Sequence, residues 1–209
     1  MPIEIKKSVK PVKYNLAINE LEKRLLDIES NKKNELIWLL EHETVFTGGT
    51  SHKESEILDK TINFVKTNRG GKITCHNPGQ LVCYFVIDLR KRGKNIRKLL
   101  EIIEQSIIQT LKYYNTESKA DRENIGIWYQ NKNELEKIAA IGIKVKKWIA
   151  YHGFAVNISN NLKDFKKIIP CGIENKKVTN LNEILKQDYS KINNILITNL
   201  LGYLENLTS

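Results

Sequence analysis

Leu81-Val82-Cys83-Tyr84-Phe85-Val86-Ile87-Asp88-Leu89 is a nearly unbroken apolar run that follows a Pro78-Gly79 turn signal. A run of this length reads as a strand buried on both faces. Downstream, Ile96, Leu99, Leu100, Ile103, Ile107, Ile108 and Leu111 recur at helical spacing and predict a helix over Ile96 to Tyr113. Upstream, Tyr14, Ala17, Ile18, Leu21, Leu25 and Ile28 predict a second amphipathic helix. Glu35 to Glu41 reads as another buried strand after the polar Ser30–Asn34 turn, then comes a loop with Gly48-Gly49 and a short strand near Ile62 to Lys66. Ile125 to Tyr129 and Ile138 to Val145 predict a hairpin across Asn131-Lys132-Asn133, Lys147 to Ile158 a further strand, and Lys191 to Leu207 a closing helix. No repeat, low-complexity tract or linker interrupts residues 1–209, so one α/β domain is expected, a mixed sheet with packed helices.

Composition narrows the class. Hydrophobic residues are 41% and charged residues 28%, a soluble globular balance. The apolar run around Leu81 to Ile87 is far below the roughly 18 residues needed to cross a bilayer, so no membrane association is expected. Met1 to Lys13 has basic residues without an apolar segment or small-residue cleavage site, against a secretory signal. Cys75, Cys83 and Cys171 form neither an even disulfide set nor a C-x-x-C metal pair, which fits a reduced, cytoplasmic setting. The net charge of +10 invites a nucleic-acid reading. The lysines are spread along the chain without interleaved aromatics, so no nucleic-acid partner is expected. Attraction to an acidic protein partner is the other use of such charge.

Three segments have residue types that plain structure does not ask for. Arg69-Gly70-Gly71-Lys72-Ile73-Thr74-Cys75-His76-Asn77-Pro78-Gly79-Gln80 joins paired glycines, which admit close backbone approach, to an Arg and a His. The glycines match neither a dinucleotide nor a phosphate-loop pattern, and no cofactor is expected. Lys137-Ile138-Ala139-Ala140-Ile141-Gly142-Ile143 places small residues on a strand, leaving room for an apolar chain. In Ile168-Ile169-Pro170-Cys171-Gly172-Ile173 a thiol stands between a residue that fixes φ and one that frees it, with the Gly172 N–H a natural oxyanion donor. Tyr151-His152-Gly153-Phe154-Ala155 is a further candidate. Each has a bland alternative: a Gly-rich connection, a solvated strand-end lysine, a small buried cysteine, a hydrogen-bonded core histidine.

Taken in order, these segments resemble the lipoyl(octanoyl) transferases, which have the biotin/lipoate protein ligase fold. The family's R-G-G-x-x-T-x-H-x-P-G-Q runs from Arg69 to Gln80, K-I-A-A-I-G from Lys137 to Gly142, Y-H-G-[FL]-A-x-N from Tyr151 to Asn157 and P-C-G-I from Pro170 to Ile173. His42 to Thr47 matches an upstream H-x-x-V-[FY]-T stretch. The resemblance implies transfer of an octanoyl group from octanoyl-acyl carrier protein to a lysine of lipoyl domains, those of 2-oxoacid dehydrogenase complexes or the glycine cleavage H protein. It implies Cys171 as nucleophile, Lys137 as its partner, and Arg69, Gly70, Gly71, Lys72, Ile73, Thr74, Cys75, His76, Ala140, Ile141, Gly142, Gly153, Phe154 and Ala155 around the acyl group. His76 and His152 are candidate helpers. The chain departs from the pattern at Cys75, where an aromatic is usual, at Asn77, where glycine is usual, and at Asn180, where serine is common. The alternative within the same fold is an ATP-dependent lipoate or biotin ligase, which needs no cysteine nucleophile.

Overall fold

The apolar run beginning at Leu81 is the middle of a strand, Gln80–Asp88, in which every residue is buried. A computed structural model describes residues 2–132, 134–170 and 177–208. In chain order the strands are β1 (Ile3–Lys7), β2 (Glu35–Leu40), β3 (Val45–Gly48), β4 (Phe64–Lys66), β5 (Ile73–His76), β6 (Gln80–Asp88), β7 (Ser118–Ala120), β8 (Ile127–Asn131), β9 (Glu134–Lys146), β10 (Ile149–Asn157) and β11 (Lys177–Val178). The helices are α1 (Tyr14–Glu29), α2 (Ile96–Tyr113), α3 (Leu181–Ile184) and α4 (Ile192–Glu205). Among the described residues the main sheet has the order β1-β2-β6-β10-β9-β8-β7, with β11 added beside β9, and β4-β3-β5 form a second, small sheet. The β1–β2 and β11–β9 pairs are parallel and the other pairs of the main sheet antiparallel.

β6 reads as apolar throughout because helices cover both sides of it. One face packs Leu39, Phe85 and Ile87 against Leu99, Ile103 and Ile107 of α2 and Leu196 and Leu200 of α4. The other packs Trp38, Val86 and Tyr151 against Ala17, Leu21, Leu25 and Ile28 of α1. The charged residue that opens β2 is tolerated because Glu35 pairs with Arg92 at 2.5 Å and accepts the Asp88 N–H, while Arg92 also donates to the Leu204 carbonyl of α4. Asn95 caps α2 by accepting the Lys98 N–H at 2.9 Å.

The helix predicted over Ile96 to Tyr113 forms with those bounds, and the one over Tyr14 to Ile28 extends to Glu29. The expected Lys191 to Leu207 helix is α4, and the Ile62 to Lys66 strand is β4. The region expected as a loop around Gly48-Gly49 contains β3, and the Arg69–Gln80 stretch contains β5. The hairpin strands fall at Ile127–Asn131 and Glu134–Lys146 rather than Ile125 to Tyr129 and Ile138 to Val145. β9 and β10 form a second hairpin through Lys147 and Trp148, both in the left-handed region at φ 50° and 64°. That turn type ordinarily uses Asn or Gly, so Lys-Trp carries no turn signal.

Candidate active site

Beyond Ala139 the outer edge of β9 loses its neighbour. The register of β8 against β9 shifts between Ile127 and Trp128, and pairing ends at Ile127 opposite Ala139. The Arg69–Gly71 loop takes up the edge, the Gly70 N–H donating to the Ile143 carbonyl at 3.2 Å. Arg69 anchors that loop to β3, its Nη2 donating to the Thr47 carbonyl and hydroxyl at 2.7 and 2.8 Å. Gly49 lies beneath: a Cβ there would be 2.3 Å from the Gly71 carbonyl oxygen.

At this notch is a cavity of about 610 Å³, within the range of small-molecule sites. Adjacent strands place Ala140 opposite Ala155 and Gly142 opposite Gly153, so four small residues meet on one patch of sheet. Val82 and Tyr84 of β6, Ile96 and Leu100 of α2, and Ile141, Ile143 and Phe154 complete the apolar lining. Arg69, Gly70, Gly71, Lys72, Ile73, Thr74 and His76 line it from the loop and β5.

Lys137 also lines the cavity and is only 4% exposed. Its ammonium donates to the Ile125 carbonyl at 3.1 Å and lies 4.6 Å from the centre of the Trp128 ring. Gly126 makes the room, with φ 144° and a would-be Cβ 2.7 Å from the Ala139 oxygen and 3.1 Å from Lys137 Cε. Neither Ile125 nor Gly126 was singled out from sequence. The available signal was a glycine inside a strand pattern, which often marks close backbone approach. The β11 pair sets Val178 beside Lys137, and the Thr179 N–H donates to the Lys137 carbonyl at 3.0 Å.

Cys171 and Gly172 lie outside the described residues. Two expected residues are not brought to the cavity. Cys75 alternates with Thr74 and His76 along β5 and so packs on the opposite side, with Phe46, Phe165 and Ile168. Burial pushes its thiol up to about 12. Cys83 sits in the main core and burial raises its thiol as well. His152, at φ 68°, stacks on Tyr151 and donates from Nε2 to Asn68 Oδ1 at 2.6 Å, and Asn68 in turn donates to Glu22. It therefore ties β10 to α1.

His76 is held through Gln80. Gln80 Nε2 donates to the Cys75 carbonyl and to Asn157 Oδ1, leaving Oε1 to accept from His76 Nδ1 at 2.7 Å. The neutral ring thus carries its proton on Nδ1, with Nε2 an acceptor. His42 is fixed likewise, Nδ1 donating to the Val12 carbonyl and Nε2 accepting from the Tyr84 hydroxyl. Burial lowers His42 to about 4, and it lowers His76 and His152 to about 3, helped at His152 by Arg69 and Lys144. As the pH falls below about 6.5 the unfolded chain gains protons that these rings refuse, so stability is lost on acidification until the folded values near 3–4 are reached. Each ring is expected to contribute a loss of up to about 2 kcal/mol at pH 5. Thermal unfolding between pH 7.5 and 5 checks this, and a flat profile would contradict it.

No helix among the described residues is long and apolar enough to cross a membrane, and none of their His, Cys, Asp and Glu side chains cluster in threes to hold a metal ion. By fold the chain is similar to a bipartite lipoate protein ligase from Thermoplasma acidophilum, with TM-score 0.71 at 13% identity over 98% of this chain and 85% of that one. It is also similar to lipoate-protein ligase A bound with ATP, with TM-score 0.73 at 13% identity over 97% and 86%. Both show the lipoate-ligase fold. In sequence it is 40% identical over 187 residues to an octanoyltransferase of Wolbachia sp. subsp. Brugia malayi (strain TRS), covering 88% of this chain and 91% of that protein. It is 41% identical over 189 residues to an octanoyltransferase of Anaplasma phagocytophilum (strain HZ), covering 90% and 91%. With the profile of the lipoyl protein ligase A/B catalytic domain matching residues 12–198, the chain belongs to that family.

Proposed function

We propose that this protein transfers an octanoyl group from octanoyl-acyl carrier protein to a lysine of lipoyl domains through a thioester on Cys171, in the cytoplasm. The observation that carries the reading is an apolar cavity bedded on Ala140, Gly142, Gly153 and Ala155 with the buried Lys137 ammonium in its lining. The shared name of the sequence relatives supports octanoyl as the group moved. The strand pairing of Lys177–Val178 along Glu136–Lys137 supports delivery of the segment that follows Cys171 to the edge where Lys137 lies. Acceptors are lipoyl domains of 2-oxoacid dehydrogenase complexes or the glycine cleavage H protein, and the net charge of +10 favours encounter with acidic partners.

A lysine ammonium beside a thiol favours the thiolate. The Cys171 thiolate attacks the octanoyl thioester carbon, the new C–S bond forms, and the pantetheine sulfur leaves with a proton from Lys137. Lys137, now neutral, takes a proton from the incoming lysine amine as its nitrogen attacks the acyl-enzyme. The amide bond forms, Cys171 leaves as thiolate, and the starting pair is restored. Thioester to amide is downhill, so neither ATP nor a cofactor enters. Burying seven methylene and methyl groups at roughly 0.8 kcal/mol each sets an upper bound of about 5–6 kcal/mol on recognition of the chain.

Intact-protein mass spectrometry after mixing with octanoyl-acyl carrier protein tests the reading. Wild type is expected to gain a hydroxylamine-labile octanoyl adduct that Cys171→Ala does not form. Transfer that appears only with ATP and free octanoate, without any adduct, would instead assign the ligase reaction.

A further inference from the structure

Charge that is spread along the sequence is gathered by the fold beside one end of the cavity. From Leu89 to Leu100 the chain carries six basic residues and no acidic one. Asp88 takes Arg90 and Lys91, and Glu35 takes Arg92. Lys94, Arg97 and Lys98 are exposed and make no ion pair among the described residues. Arg97 and Lys98 stand in the first turn of α2, where the helix dipole favours acidic residues, so their charge does not serve that helix. The β9–β10 turn lies against this run. Its Trp148 is 41% exposed at φ 64°, a backbone angle that is costly for any residue but glycine. Lys94 is left-handed too, at φ 52°. Both are held by the buried Leu89, whose N–H donates to the Trp148 carbonyl at 2.8 Å and whose carbonyl accepts the Lys94 N–H at 2.9 Å.

The result is an indole on the surface with the Lys94 ammonium 6.0 Å from its ring centre. Of the two lysines before it, Lys147 pairs with Glu29, and Lys146 is exposed without an ion pair among the described residues. Two residues beyond Lys94, Ile96 is 42% exposed and lines the cavity. An exposed indole and isoleucine bordered by unpaired cations complement an acidic protein surface. We propose that this strip, made of Trp148, Ile96, Lys94, Arg97, Lys98 and Lys146, docks the acidic acyl carrier protein that delivers the octanoyl group. The assignment rests on that donor being the substrate of the proposed reaction. Reach selects the donor over the lipoyl domain. Ile143 lines the cavity at the strip's end of β9, and Lys137 is six residues back along the strand, roughly 20 Å away. A lysine side chain on a lipoyl domain seated at the strip does not span that distance. A thioester at the end of a flexible pantetheine arm does.

The test measures single-turnover acylation with two donors, octanoyl-acyl carrier protein and octanoyl-pantetheine, on wild type, Trp148→Gly and the double variant Lys94→Glu/Arg97→Glu. Glycine accepts φ 64° and glutamate fits the first turn of α2, so neither variant is expected to melt below wild type. With the carrier as donor, the second-order acylation rate constant is expected to fall about 10-fold or more in Trp148→Gly. In the double reversal it should fall roughly 10- to 100-fold and lose much of its dependence on salt. With octanoyl-pantetheine, which keeps the arm and lacks the protein, both variants are expected to match wild type. Transfer from the acyl-enzyme to a lipoyl domain should be unchanged as well. Wild-type carrier kinetics in the variants, or an equal loss with both donors, would overturn the proposal. So would a loss confined to the acceptor half-reaction, which puts the lipoyl domain on the strip. Salt-sensitive binding of random duplex DNA that the reversal abolishes while carrier kinetics hold would assign the strip to nucleic acid instead. Either variant decides alone should the other not fold. A wild type that takes octanoyl from neither donor overturns the proposed reaction itself; carrier acylation that survives the reversal at full rate overturns only the docking surface.

Discussion

Lys137→Met is expected to lower octanoyl transfer by about 10²- to 10⁴-fold, the range typical of losing a positioned acid–base group, while the protein stays folded. The side chain is buried, and the methionine stem keeps most of its contact with the Trp128 ring while removing the ammonium that donates to the Ile125 carbonyl. Two steps lose their proton carrier at once: departure of the pantetheine sulfur and attack by the acceptor amine. The effect therefore falls on turnover from both half-reactions, and single-turnover acylation and deacylation measured apart should each slow. Melting temperature should move little in comparison. If both half-reactions kept wild-type rates in Lys137→Met, the lysine would have no place in the chemistry.

Lys137→Arg should not restore activity. The Gly126 backbone leaves about 3.1 Å between its would-be Cβ and Lys137 Cε, a fit to a slender stem. A planar guanidinium would have to displace either that backbone or the Trp128 ring, and it does not give up a proton near neutral pH. Charge alone is thus not the property that the site selects.

How far the sequence was legible follows from how each feature is encoded. α2 appears with its predicted bounds because seven apolar residues repeat at the helical period over five turns. β6 was legible for the opposite reason, an apolar run without period. β1, Ile-Glu-Ile-Lys-Lys, is half-exposed at the sheet edge and carries too few apolar residues to signal itself. In the small β4-β3-β5 sheet the apolar Ile62–Lys66 stretch signals β4, whereas β3 and β5, of four residues each beside glycines, are too short to establish a period. In the site, side-chain identity was readable and backbone geometry was not. Lys137, Ala140, Gly142, Gly153 and Ala155 were named from their motifs, and they line one cavity. The Ile125 carbonyl that accepts the hydrogen bond of the lysine is invisible in the sequence, because any residue has a carbonyl. The motif around Cys75 suggests a continuous lining, but alternate residues of a strand face away, and Cys75 packs with Phe46, Phe165 and Ile168. The residue type of His152 does not announce its backbone angle or its bond to Asn68, which links it to Glu22 of α1.

Gly153→Ala is expected to be the most destabilising single-methyl change in the cavity floor. A Cβ at this position would lie 1.9 Å from the Cys83 carbonyl oxygen and 3.0 Å from its carbon. Both are backbone atoms of the central strand, so no side chain can swing aside. β6 and β10 would have to separate where Gly153 pairs with Tyr84, and the apolar layers on both faces of the sheet are built on that pair. The cost is expected to reach about 3 kcal/mol or more, the upper end for overpacking, which lowers the melting temperature by roughly 6–12 °C in a domain of this size. Ala155→Gly is the fitting comparison: it lies on the same patch, removes a methyl group rather than adding one, and should cost only about 1 kcal/mol. Scanning calorimetry of the two variants decides the matter. Equal melting temperatures would mean that the β6–β10 pair yields easily at Gly153, and then the absence of a side chain there would serve the acyl chain alone rather than the sheet as well.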